Sequence, residues 1–282
     1  MKSKKWETLP FASAWKDELP QPDFCLPNLI SGTVGVVAAP AGIGKTLLLM
    51  QIAASVAAGV PVAGGLLPAL SKTGKVVFLA TEDPLPILQR RAHFIVRSLE
   101  EQGAGNEEIT RLDHNLKFHC AQSNVPILLW PDNLGEHGLD RLDLLARDAR
   151  LLILDPIRRF HYCDEQDYSK MAILFSLLTD IAASNDCTIL FSHHVPQPAS
   201  DADLGSPAGA LGSNAFINAT RWVLNLNGMS STQGEHMGIA EDQRRDYVLA
   251  SFTKYNYGSA MSSRWLHRSE KYEGVLTACD LE

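Results

Sequence analysis

The eight residues Ala39-Pro-Ala-Gly-Ile-Gly-Lys-Thr46 constrain this chain more than any other stretch. They follow an apolar run, Val34-Gly-Val-Val-Ala-Ala39, with the composition of a buried strand, and precede a run from Lys45 to about Gly59 that reads as a helix ended by its glycine. Strand, glycine-bearing loop and helix in that order are the context required by the phosphate-loop pattern GxxxxGK[ST]. Backbone N–H groups around Gly42–Lys45 can wrap a β-phosphate, and the helix N-terminus adds partial positive charge. Lys45 can reach the β- and γ-phosphates, and the Thr46 hydroxyl is offered to Mg²⁺. The nucleotide-binding set is Pro40, Ala41, Gly42, Ile43, Gly44, Lys45, Thr46 and Leu47. The first glycine of the pattern is replaced by Ala39, which a strand end tolerates if φ is negative.

The rest of the chain agrees with an α/β fold. Strands are expected at Lys75–Ala80, Leu116–His119, Leu151–Leu154 and Cys187–Phe191, and helices at Pro84–Glu100, Leu139–Arg150 and Tyr168–Asn185. Strands alternating with helices predict a central, mostly parallel twisted sheet covered on both faces. Residues 220–227, 246–254 and 274–278 read as late strands of antiparallel character. Residues 1–30, with Pro10, Pro20, Pro22 and Pro27, read as an irregular N-terminal arm, leaving 31–282 as one domain.

Composition narrows the class. In 282 residues there are 25 Lys and Arg against 32 Asp and Glu, a net charge of −7, which excludes a highly basic coat or chromatin protein. A local basic loop can still bind nucleic acid. The hydrophobic fraction, 45%, is that of a globular chain rather than a disordered one. Five scattered cysteines without a CxxC pair fit a reducing, cytoplasmic setting and no zinc site. The basic start, Met1–Lys5, runs into mixed polar sequence and is not a secretory leader. Leu47–Gly64 is apolar but interrupted by Gln51, Ser55, Gly59 and Pro61, so it reads as a buried helix and not a membrane span.

Three further strand ends carry candidate chemistry. Asp155 closes the apolar run Leu151–Leu154, where a carboxylate can hold the Mg²⁺ shell. Glu82, with Asp83 as the alternative, follows Phe78–Ala80 and can orient or deprotonate a water. His193 and His194 follow Phe191-Ser192, where a polar side chain can meet a γ-phosphate.

Together these residues resemble the RecA-like ring ATPases, and most closely the RepA-type hexameric replicative helicases of plasmids. The similarity extends over Phe24–Gly35, Thr81-Glu-Asp-Pro84, Leu154-Asp-Pro-Ile-Arg-Arg-Phe-His161, His193-His194, Asp242-Gln-Arg-Arg245, Lys254-Tyr-Asn-Tyr-Gly258 and Arg264-Trp265. The resemblance implies a RecA-like P-loop NTPase fold and a homo-hexamer hydrolysing ATP with Mg²⁺ at subunit interfaces. Single-stranded DNA would occupy the central channel, with primase or initiator proteins as partners. It implies Glu82 as catalytic carboxylate, Asp155 as Mg²⁺-shell carboxylate, and His194 or its neighbour His193 as γ-phosphate sensor. It implies Arg221 as an arginine finger and Lys254 as a second cation, both reaching the adjacent subunit. Arg91 and Tyr257 are placed to sandwich the adenine. DNA contacts would come from Arg158, Arg159 and the loop Val195 to Ser213, a loop with Asp201 and Asp203 but no Lys or Arg, and with Leu211 where the family pattern has an arginine. A RecA-like ATPase acting on protein or recombination intermediates without unwinding is the alternative, and a slow nucleotide-gated regulatory module a third.

Overall fold

A computed structural model describes residues 8–12, 18, 21–121, 136–196 and 219–281. Nine strands form one sheet around β3 (Val34–Ala39), which carries the phosphate loop at its end. On one side β3 pairs in parallel with β7 (Thr188–His194), then come β6 (Leu151–Asp155), β4 (Val76–Ala80) and β5 (Leu116–Cys120), all parallel. On the other side lies β8 (Trp222–Gly228), still parallel to β3. It is followed by β9 (Tyr247–Tyr255), β10 (Arg264–Arg268) and β11 (Leu276–Cys279), all antiparallel. The predicted mostly parallel sheet with late antiparallel strands is what forms.

The apolar strands run without alternation because both sheet faces are covered. Val37, Ala39, Phe78 and Ile153 face a core with α1 (Lys45–Ala58), α2 (Leu85–Glu101) and α3 (Asn106–Asn115). Val36, Ala38, Val77 and Leu152 face a second core with α4 (Glu136–Ala146) and α5 (Tyr168–Asn185). Helix α1 is buried on every side apart from Thr46, which explains its lack of a polar face. The interrupting Gln51 has a partner: its Nε2 donates to Leu276 O at 2.8 Å and its Oε1 accepts from Leu276 N–H at 3.2 Å, tying α1 to β11. Gly59 ends α1 with φ 82°, donating its N–H to Ser55 O at 2.7 Å.

The structure departs from expectation in four places. Residues 24–30 are a hairpin, β1 (Phe24–Leu26) and β2 (Leu29–Ile30), rather than irregular chain. Cys25, Leu26 and Leu29 are fully buried in the α1-side core, so packing overrides the proline-rich local sequence. Helix α3 was not anticipated; Glu108 accepts from Gly105 N–H at its start and Arg111 reaches both Glu107 and Glu108. Strand β10 and a short helix α6 (Ser231–His236) were also missed.

Candidate functional site

The carboxyl ends of β3, β4, β6 and β7 meet at one edge, because Ala39 pairs with His194 and Ala80 with Asp155. Parallel sheets open their ligand crevice at this edge. There a cavity of about 310 Å³ is lined by Gly42, Gly44, Lys45, Thr46 and Leu47 of the loop and first helical turn. Glu82, Asp83, Arg91, Asp155 and His194 complete it, with Arg268, Glu273 and Gly274 from the C-terminal strands. Pro40, Ala41 and Ile43 belong to the loop backbone without facing this cavity.

Gly42 and Gly44 have φ of 77° and 95°, conformations open to glycine and strained for other residues. Ala39 remains in the strand with no positive φ, as the substitution of the first glycine requires. Lys45 is buried, and its Nζ donates to Ala39 O and Pro40 O at 2.8 Å each, folding the ammonium back over its own loop. Burial pulls its pKa down to about 8, with the charges of Asp155 and Glu82 opposing the fall.

Asp155 is buried at the end of β6, and burial raises its pKa. Hydroxyl groups of Ser192 and Thr46 hydrogen-bond the carboxylate and oppose that rise. Its backbone O accepts from Thr81 N–H at 3.1 Å and Thr81 Oγ1 at 3.0 Å, fastening β6 to the end of β4. Glu82 is half-exposed, and its Oε2 lies 3.8 Å from His194 Nε2. The alternative carboxylate, Asp83, is held in an ion pair by Arg91 from α2. His193 is buried and does not line the cavity; burial lowers its pKa to about 4, with His194 and Lys45 adding to the shift.

The remaining candidates lie elsewhere. The N–H of Arg221 donates to Val34 O at 3.0 Å, at the start of β3, whereas the loop leaves its far end. At about 3.3 Å per residue the strand separates them by roughly 16 Å. Arg221 and Tyr257 line a second cavity, of about 560 Å³, with Tyr168 and Asp180. Lys254 is near enough to Arg221 for that charge to contribute to the lowering of its pKa, after burial. Arg91 and Tyr257 therefore do not sandwich one base within a single chain. Arg158 and Arg159 are exposed on a 3₁₀ turn after Asp155, with Arg158 Nε 3.7 Å from Glu165. Of the loop 195–213, residues 197–213, including Asp201, Asp203 and Leu211, lie outside the described residues.

Sequence reasoning missed Arg268, Glu273 and Gly274. Arg268 Nη2 donates to Ile43 O at 2.8 Å across 225 residues of chain, a separation at which no local pattern announces the contact. Glu273 forms a two-point ion pair with Arg90 of α2.

The residues fit a magnesium nucleotide. A Cβ at Gly42 would meet nothing within 4 Å, so the loop has room at its mouth. Thr46 and the buried Asp155 carboxylate stand together at its base. Among the described residues no group of three His, Cys, Asp or Glu side chains could hold a metal ion.

Comparisons with known proteins agree with this architecture. The crystal structure of the RadB recombinase superposes with a TM-score of 0.54 at 14% identity, covering 89% of this chain and 92% of that one. No helix of the described residues is long and apolar enough to cross a membrane. Residues 3–200 match the family model described as AAA domain. With that match spanning more than half of the chain, the protein belongs to the AAA domain family, and its sheet and phosphate loop form a RecA-like fold.

Proposed function

We propose that this protein is an ATP-driven motor on single-stranded DNA, a replicative helicase or translocase working as a homo-hexameric ring with ATP sites shared between subunits. The observation that carries the reading is the division of its candidate residues. Loop, Lys45, Thr46, Glu82, Asp155 and His194 line one cavity, while Arg221, Lys254 and Tyr257 gather at the opposite end of the central strands. Residues too distant to serve their own phosphate loop are suited to a neighbour's, and a ring closes such a head-to-tail contact.

In this reading the N–H groups of the loop and the Lys45 ammonium hold the β- and γ-phosphates. Thr46 and Asp155 would hold Mg²⁺, which would supply charge neutralisation for the phosphates. Glu82 orients the attacking water and draws its proton, and His194, 3.8 Å away, senses the γ-phosphate. Arg221 of the adjacent subunit neutralises the transition state, with Lys254 beside it. Tyr257 of that subunit faces Arg91 across the adenine. Arg158, Arg159 and the loop after Val195 meet DNA, and primase or initiator proteins are further partners.

Steady-state ATP hydrolysis with and without long single-stranded DNA tests this, in wild type and Glu82→Gln. Stimulation by DNA, lost in the variant, is expected, followed by unwinding of forked substrates. Turnover without any DNA response removes the helicase. The second reading, a RecA-like ATPase acting on protein or recombination intermediates without unwinding, is favoured by the likeness to RadB and by the absence of Lys and Arg from 195–213. Turnover without a DNA effect would select it.

A further inference from the structure

The guanidinium of Arg268 sits against the phosphate loop. Nη2 donates to Ile43 O at 2.8 Å and more distantly to Gly42 O at 3.5 Å, and Nε donates to Arg245 O at 3.3 Å. The packing is close: a Cβ at Gly44 would lie 3.1 Å from Nη1. The end of β10 that carries Arg268 is itself anchored. Its turn is closed by Ser269 N–H to Val275 O at 2.9 Å and Gly274 N–H to Ser269 O at 2.7 Å. The same turn is tied to α2 by Arg90–Glu273 and by Lys271 and Tyr272 on Glu101.

A trans peptide unit is planar, so its C=O and N–H point in opposite directions. The Gly42 carbonyl shares a unit with the Ile43 N–H, and the Ile43 carbonyl shares one with the Gly44 N–H. Gripping both carbonyls turns both N–H groups away from the guanidinium. Those two donors lie within the stretch that wraps a β-phosphate, and the flanking glycines leave the units free to rotate without an anchor.

We propose that Arg268 is a positioning residue for phosphate binding: it holds the carbonyl side of the loop and thereby presets the Ile43 and Gly44 N–H groups for the β-phosphate. It acts in the same chain as the loop, unlike Arg221. The inference rests on the nucleotide reading above and deepens it by naming what preorganises the loop.

The test is the affinity of the full chain for ATP and ADP, with kcat and KM for ATP, in wild type, Arg268→Ala and Arg268→Lys. Loss of a charged hydrogen-bond donor predicts that Kd for both nucleotides and KM rise about 10–100-fold in Arg268→Ala. At saturating ATP, kcat is expected to stay within about threefold, because bound phosphate then orders the loop. Arg268→Lys keeps the charge and one donor, and should recover part of the loss. Unchanged affinity in a folded Arg268→Ala overturns the proposal, as does a fall in kcat with KM unchanged. If Arg268→Ala does not fold, a wild-type Kd in Arg268→Lys overturns it and a several-fold weaker one supports it. A wild-type protein that binds neither nucleotide fails the nucleotide reading itself, a result seen before any substitution is made.

Discussion

At the scale of single residues, charge and burial separate side chains that look equivalent in sequence. Glu82 and Asp83 are adjacent carboxylates at one strand end, yet Asp83 is neutralised by Arg91 while Glu82 is half-exposed beside His194. Glu82→Gln is therefore expected to lower kcat by about 10²–10⁴. Asp83→Asn, measured in the same steady-state assay, should lower it by no more than about tenfold. Lys45 makes a pH prediction. Its pKa is lowered to about 8 in the free protein, and phosphate favours its charged form. Nucleotide binding should be strongest below pH 8 and weaken above it, approaching about tenfold per pH unit as a proton must be taken up on binding. Titrations of ATP affinity between pH 7 and 9.5 check this, and Lys45→Ala should be weak and flat over that range.

At the scale of elements, the hairpin β1–β2 is anchored at its entry by Asp23, which pairs with Arg150 and Lys72. Arg150, at the entry to β6, is nearly buried and reaches Asp23 through Nη1 at 3.0 Å and Nη2 at 2.9 Å, with Nη2 also 2.7 Å from Phe24 O. The Arg150 guanidinium, aided by Lys72, holds the Asp23 pKa down at about 2 from its usual 3.8, against the opposing effect of burial. A carboxylate with a lowered folded-state pKa stabilises above its unfolded value and loses that contribution as pH falls toward 2. The shift corresponds to roughly 2 kcal/mol. Asp23→Asn should cost about that much in denaturant unfolding at pH 7, with the difference from wild type vanishing between pH 4 and 2. Gly74 belongs to the same junction, since a Cβ there would lie 2.8 Å from Arg150 Cβ.

For the whole molecule, two buried histidines contribute a loss of stability in mild acid. Burial lowers both His161 and His193 to pKa values of about 4. Unfolded chains bind those protons from about pH 6.5 downward and the folded one does not, so stability should fall as pH drops from 6.5 to 4. Thermal midpoints across that range check it, and His161→Gln should flatten part of the slope. Assembly gives the other prediction at this scale. If Arg221 serves a neighbour's loop, Lys45→Ala and Arg221→Ala subunits, each inactive alone, should partly restore turnover when exchanged into mixed rings. No rescue with demonstrated exchange would place the finger elsewhere.

The phosphate loop, its helix, the alternation of strands and helices and the strand-end carboxylate Asp155 were all legible from local sequence. Each depends on neighbours a few residues away: glycines where φ turns positive, continuous apolar runs where both sheet faces are buried, and a carboxylate at the end of such a run. The hairpin at 24–30 was not legible, because Cys25, Leu26 and Leu29 take their structure from the core they enter and not from the prolines around them. Nor was the pairing of Asp83 with Arg91, or the separation of Arg221 and Tyr257 from the loop. Arg268 is the extreme case: its contact with Ile43 spans 225 residues and exists only because β10 ends beside the phosphate loop. Sequence by itself determined the chemistry available to this protein, since backbone conformation and hydropathy are local. Tertiary structure alone decided which charges meet, because side-chain distances across a sheet are set by strand order and register.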